Sequence, residues 1–321
     1  MIGRRALLLS AASLVARPSF AQPAWPARPV RLVIPFTPGG ANDVIGRVVA
    51  AQLGEIWGQQ VIVENRGGAS GNIGSESVAR AGADGYTMLL APTSFAINPF
   101  LYAAAGYDPV ADFAPVTMLC SLPYIMVVPN SSPAKSVREF IDHAQSAKAP
   151  LTFASAGAGS GLHLAGEMFR RMAGIEMTHV PYRGGGQALN DLVPGRIDVM
   201  FNAMASTLPM VQAGALRALA VTTAARSGVA PDLPTIAEAA LPGFDMVSWF
   251  ALFVAARTPP GIVAKIHADT ARALASPAAK AALENLGADI VASTPESLGA
   301  TVRATMEKWG PIIREAGIRA E

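Results

Sequence analysis

Two glycine-bearing turns hold most of the residues whose spacing suggests chemistry. Thr37-Pro38-Gly39-Gly40 follows the apolar run Val30, Leu32, Val33, Ile34 and leads at once into a helical pattern. The segment SAGAGSG, residues 155–161, follows Leu151–Ala154 and leads into a helix from Leu162. A strand, a glycine turn and a helix start present unsatisfied backbone N–H groups and the positive end of the helix dipole, an arrangement suited to an anion. Neither turn carries the lysine of a G-x-x-x-x-G-K-[ST] phosphate loop. GAGSG also departs from the dinucleotide pattern, since Leu162 stands where the third glycine belongs and the next strand ends in Pro181-Tyr182 without a ribose-binding acid. Two helix starts facing each other across a cleft would instead hold a carboxylate without any cationic side chain.

Ser94, Ser155 and Ser160 follow strands, but no G-x-S-x-G elbow is present. With Asn202 they offer neutral donors for a second carboxylate or a hydroxyl. His163 and Glu167 share a helix face at i,i+4, yet no third metal ligand stands at a suitable spacing. A local hydrogen bond or packing suits that pair better, although His163 also sits in the first turn after a glycine loop, where it can point at a ligand. Asp43, in the first turn of its helix, has two readings: a favourable contact with the helix dipole, or a partner for a ligand or for the Gly39-Gly40 turn. Arg183 in PYRGGG pairs either with an anionic ligand or, slightly favoured, with a surface acid. Cys120 lies in the apolar run Val116, Met118, Leu119, Leu122 and reads as a buried, inert thiol.

The elements that must position these residues alternate strand and helix. Strands are expected at Val30–Phe36, Val61–Glu64 and Tyr86–Ala91, with helices between them, one carrying Ala41, Val44, Ile45, Val48, Val49 and Leu53 on one face. Such βαβαβ units build right-handed parallel sheets with helices on both faces. A second unit runs through strands at Tyr124–Val128, Leu151–Ala154, Thr178–Pro181, Ile197–Phe201 and Leu216–Thr222, with a helix over Val137–Ala147 capped by Ser136. Residues 231–242 are turn-rich, Trp249–Ala255 is a strand, and helices near 260–275, 277–286 and 296–315 follow, with a short strand at Asp289–Val291. The simplest assembly is a two-lobed α/β protein whose chain crosses around 115–122 and 222–250. Residues 22–120 plus 226–321 form one lobe and 121–225 the other. Ligands of such sheets bind outside the carboxyl ends of the strands, where the glycine turns lie.

Composition narrows the class. The chain has 321 residues, of which 51% are hydrophobic and 15% charged, enough for two globular cores. Arg4 and Arg5, the apolar stretch Ala6–Ala16 and Ser19-Phe20-Ala21 read as a signal peptide, residues 1–21, cleaved after about Ala21. General secretion fits it better than the twin-arginine route. Its removal takes Arg4, Arg5 and Arg17, so that 22 Lys and Arg face 23 acids and the net charge becomes −1. That argues against nucleic acid as a partner. A single cysteine permits no disulfide within the chain. No cofactor or metal motif is present.

Taken together, WPARPVRLVIPFTPGGANDVIGR, VIVENRGGASGNIGSESVARAGADGYTML, INPFLY, YDPVADFAPVTML, LTFASAGAGSGLHLAGEMF, HVPYRGGGQALNDLVPGRIDVMF, LRALAVTT and PTIAEAALPGF resemble, in order, the Bug-type or TctC-like solute receptors of tripartite tricarboxylate transporters. The resemblance spans Trp25 to about Ile318. It implies an α/β, two-lobed type II periplasmic binding-protein fold with two hinge crossings, a periplasmic monomer, a small carboxylate ligand (organic acid, acidic amino acid or aromatic acid) and membrane permease subunits as partners. It implies that the carboxylate is held by backbone groups and water at Phe36, Thr37, Pro38, Gly39 and Gly40, and at Ser155, Ala156, Gly157, Gly159 and Ser160. Asp43 matches the family's acid after the glycines, and His163 the histidine of its G-x-G-S-x-x-H segment. Tyr182, Ser94 and Asn202 complete the expected contact set, with Phe36 covering the apolar side. Ala41 replaces a frequent third glycine, Gly67 a frequent proline, and PYRG a frequent PYKG. On this reading the chain is not an enzyme. The alternatives are a carboxylate sensor serving a membrane signalling partner and, further off, a serine-type hydrolase on an α/β scaffold.

Overall fold

The computed structural model describes residues 25–157, 159–182, 185–315 and 317–319. The expected signal peptide and Arg183 lie outside the described residues.

The first unit runs β1 (Val30–Ile34), α1 (Ala41–Trp57), β2 (Val61–Asn65), a 3-10 turn at Ala69–Gly71, α2 (Asn72–Ala79) and β3 (Thr87–Pro92). β2, β1 and β3 pair in parallel in that spatial order, as the βαβαβ pattern requires. Ile45, Val49, Ala50 and Leu53 of α1 are buried, and Gly58 ends the helix at φ +61°. α2 comes so close to the sheet that a Cβ on Gly74 would lie 2.8 Å from both Arg66 O and Pro35 Cα.

Next come α3 (Ser94–Leu101) and β4 (Phe113–Pro129). β4 exceeds the short strand expected at Tyr124–Val128 because Pro115 and Pro123 interrupt its pattern, and its register shifts twice before Cys120. The second unit follows: α4 (Val137–Ser146), β5 (Leu151–Ser155), α5 (Gly161–Ala173), β6 (Met177–Pro181), α6 (Gly185–Leu192), β7 (Val199–Ala203), α7 (Met204–Gln212) and β8 (Leu216–Val221). Ser136 caps α4 by accepting the Glu139 N–H at 3.2 Å. The chain ends with α8 (Ile236–Ala239), β9 (Val247–Ala255), α9 (Pro260–Leu274), α10 (Pro277–Glu284), β10 (Asp289–Ile290) and α11 (Pro295–Glu315).

β4 belongs to two sheets. Its first part, Phe113–Pro123, pairs antiparallel with β9, which pairs antiparallel with β3. Its second part, Tyr124–Pro129, pairs antiparallel with β7 and β8, and β7 continues in parallel to β5 and β6. One buried cluster lies on the second sheet, around Phe140, Phe153, Phe169 and Phe201. Ile236, Leu241, Phe244 and Met246 join it, so the segment around α8 packs with the second sheet although it follows residue 226. The two faces of the first sheet carry their own clusters, one around Leu32, Leu53 and Leu252, the other around Phe95, Phe113 and Phe253. Cys120 is fully buried, and burial pushes its thiol up to about 12. Among the described residues no helix is long and apolar enough to cross a membrane.

Candidate functional site

The first glycine turn is tied by Asp43. Its Oδ2 accepts the Gly39 N–H and Arg47 Nε–H, each at 3.0 Å, and its Oδ1 accepts Asn65 Nδ2–H at 3.0 Å. The same Asn65 amide donates to Phe36 O at 3.1 Å, so β2 holds both ends of the turn. The Arg47 hydrogen bond, helped by Gly39 and Asn65 and opposed by burial, brings the Asp43 carboxyl down to about 2. Gly39 adopts φ +91°, which its lack of Cβ permits. Of the two readings of Asp43, the geometry matches the one in which it fixes the Gly39-Gly40 turn.

The second turn is tied by serines and histidines. Ser155 Oγ accepts the Gly157 N–H at 3.1 Å and lies 2.6 Å from His179 Nε2. Ser160 Oγ donates to Gly157 O at 2.7 Å and accepts the His163 N–H at 3.3 Å, capping α5. His163 Nδ1 accepts the Gly159 N–H at 3.0 Å. A neutral His163 then carries its proton on Nε2, which faces Glu167 Oε1 at 3.8 Å. The His163 and His179 rings stack at 3.8 Å, with Phe153 beyond them. Burial pushes both imidazoles down to about 4, and for His179 the nearby His163 adds to it. Both are neutral near pH 7. The Ser155–His179 pair has the reach of a nucleophile and its base, but Ser155 is fully buried and engaged by its own loop.

Between the two turns lies a cavity of about 520 Å³. From the first sheet's side it is lined by Phe36, Gly40, Ala41 and Asn42 at the start of α1, by Ser94 at the start of α3, and by Thr93, Leu122, Ser248 and Phe250. From the other side come Tyr124, Ala156, Gly159–Leu162 at the start of α5 and Gly185 at the start of α6. Four helix starts thus open on one space, and the first amides of a helix have no intrahelical acceptor. None of the described residues lining it is charged. Asn42 Oδ1 is buried there with no hydrogen-bond partner among the described residues.

The residues expected at the site divide accordingly. Phe36, Gly40, Ser94, Ala156, Gly159 and Ser160 line the cavity. Asp43, Ser155, Gly157 and His163 stand behind the two turns and shape them. Thr37, Pro38 and Gly39 are exposed and do not line it. Tyr182 is turned aside, donating its O–H to Asp191 Oδ2 at 2.8 Å, while its N–H donates to Ser155 O. Asn202 is buried beneath the cavity, giving Nδ2–H to Thr207 Oγ1 at 2.9 Å. Tyr124, Leu122, Ser248 and Phe250 also line the cavity and flank the place where β4 passes between sheets, without a local signal in the sequence. Gly161 bears on Tyr124 alone: a Cβ there would run into the Tyr124 hydroxyl. Among the described residues no group of three or more His, Cys, Asp or Glu is placed to hold a metal ion.

Comparison with known proteins agrees with this architecture. The model of the TctC family, described as the tripartite tricarboxylate transporter family receptor, matches residues 45–318. Protein BugT of Bordetella pertussis is 34% identical over 92% of this chain and 91% of its own length. Among solved structures, that of the R. palustris protein Rpa4515 with adipate is similar at a TM-score of 0.81 and 38% identity, covering 92% of this chain and 99% of that one. MatC of Rhodopseudomonas palustris with bound malate gives 0.77 and 32%, covering 90% and 99%. The two-lobed periplasmic binding-protein fold follows, and the chain belongs to the TctC family of tripartite tricarboxylate transporter receptors.

Proposed function

We propose that this chain is an exported, periplasmic receptor that binds a small carboxylate in the cavity between its sheets and delivers it to the permease subunits of a tripartite tricarboxylate-type transporter. The observation that carries this reading is the convergence of four helix starts on a cavity lined by no charged side chain among the described residues. Backbone donors at Gly40–Asn42 and at Gly161 and Leu162 would receive the carboxylate, with Ser94 beside them and Phe36 covering the apolar side. Asp43 and His163 hold these donors in place. The adipate and malate named for similar solved proteins support a carboxylate as the ligand class.

The lobes in this reading are residues 22–120 with the C-terminal part, and the segment from 121 onward. The pairing of β8 with β4 and the packing of α8 support placing the return crossing near Met246–Val247, not near 226. A ligand touching both lobes favours their closed arrangement through that differential contact.

A thermal-shift screen of the mature chain against mono-, di- and tricarboxylates, acidic amino acids and aromatic acids tests the proposal. A carboxylate at 100 times its dissociation constant should add about 2.7 kcal/mol of stability. No shift with any of them, together with turnover of an ester substrate, would contradict it.

A further inference from the structure

The helix starts account for a carboxylate and leave the rest of the ligand open. Resting on the carboxylate-receptor reading, we infer that the ligand's body is hydrocarbon, an unsubstituted chain or ring, and that Leu122 and Phe250 set this preference.

Away from the helix starts the wall is built from Ile97 of α3, Leu122 of β4, Leu164 of α5 and Phe250 of β9. Each is buried and belongs to one of the two main cores, so none can swing away to make room for water. The hydroxyls of Thr93 and Ser160 at this wall are already engaged. Thr93 Oγ1 accepts the Trp249 N–H at 2.8 Å. The Tyr124 hydroxyl rests against Gly161. Ser160 Oγ is committed to Gly157 O and the His163 N–H. A ligand hydroxyl brought against these groups would lose its water without a replacement partner, whereas a methylene there gains by leaving water. Such a wall rejects hydroxylated bodies because the free partners, Ser94 and the Asn42 Oδ1 that is unpaired among the described residues, lie at the helix starts and not along it.

Two probe pairs isolate the body from the charge. Adipate and galactarate share six carbons and two carboxylates and differ only in four hydroxyls; hexanoate and gluconate share six carbons and one carboxylate and differ only in five hydroxyls. Calorimetric titration of the mature chain should show the hydrocarbon member of each pair that binds to be at least tenfold tighter. Equal or tighter binding of galactarate or gluconate would overturn the inference. So would the absence of binding by all four while another carboxylate, such as citrate or glutamate, binds. If no carboxylate binds at all, the receptor reading itself fails. Leu122→Asn and the more conservative Phe250→Tyr each place a polar group at the wall. Each should narrow the adipate-to-galactarate ratio at least threefold, a readout that lost stability alone does not move. Phe250→Tyr keeps the test available should Leu122→Asn not fold. An unchanged ratio in the folded variants would remove these two residues from the account.

Discussion

Asp43 uses both carboxylate oxygens inside its own turn, taking donors from Gly39, Arg47 and Asn65. Its ionisation is therefore a condition for the shape of the first cradle. Asp43→Ala leaves those donors without their acceptor and should cost about 1–3 kcal/mol of stability. It should also weaken ligand binding about tenfold, as measured by calorimetric titration; unchanged affinity would return Asp43 to a bystander of the helix dipole. The histidine pair makes a second prediction. Burial holds His163 near 4 in the folded chain, against about 6.5 when unfolded. Between these values the unfolded chain binds more protons. Stability is thus full above pH 6.5 and falls as the pH is lowered toward 4, by ~3 kcal/mol for His163. Thermal unfolding across pH 7 to 4 should show this slope, and His163→Gln, which can still accept the Gly159 N–H, should reduce it to the part that His179 contributes. A profile that is flat in the parent chain contradicts the assignment. In the sequence, Gly39, Gly40, Gly159 and Ser160 were legible because turn chemistry is local. Tyr124 and Phe250 were not, because the meeting of β4, β9 and the start of α5 depends on contacts between distant parts of the chain.

At the scale of elements, amphipathic and capped segments were readable and buried ones were not. α4 has a polar face and the Ser136 cap, and its expected range, Val137–Ala147, differs from the observed one by a single residue. α3 escaped notice because Phe95, Ala96, Ile97, Asn98 and Leu101 are all buried, which removes the helical period, and because Pro99 reads as a breaker. α7 likewise contains Pro209. The two caps offer a matched test. Ser136→Ala should cost about 1 kcal/mol of stability and leave ligand affinity unchanged, since α4 does not reach the cavity. Ser160→Ala should cost a similar amount and also weaken binding severalfold, because its hydroxyl shapes the second cradle through Gly157 and His163. Chemical denaturation paired with calorimetric titration separates the two effects. Equal affinity in both variants would show that the start of α5 is not used.

At the scale of the molecule, more than the two chain crossings joins the lobes. Leu298 and Val302 of α11 pack in the first sheet's cluster, while Trp309 and Ile313 pack in the second sheet's cluster. Leu101 of α3 meets the second turn so closely that a Cβ on Gly159 would lie 2.7 Å from it. The cavity sits between these joints, lined from both sheets. The central claim is that such a cavity binds a carboxylate through helix starts and not through a cation. The carboxylate that stabilises the mature chain most is to be titrated calorimetrically beside its neutral amide. The account predicts one site per chain and at least a hundredfold weaker binding of the amide; an amide that binds as tightly as its acid would contradict it.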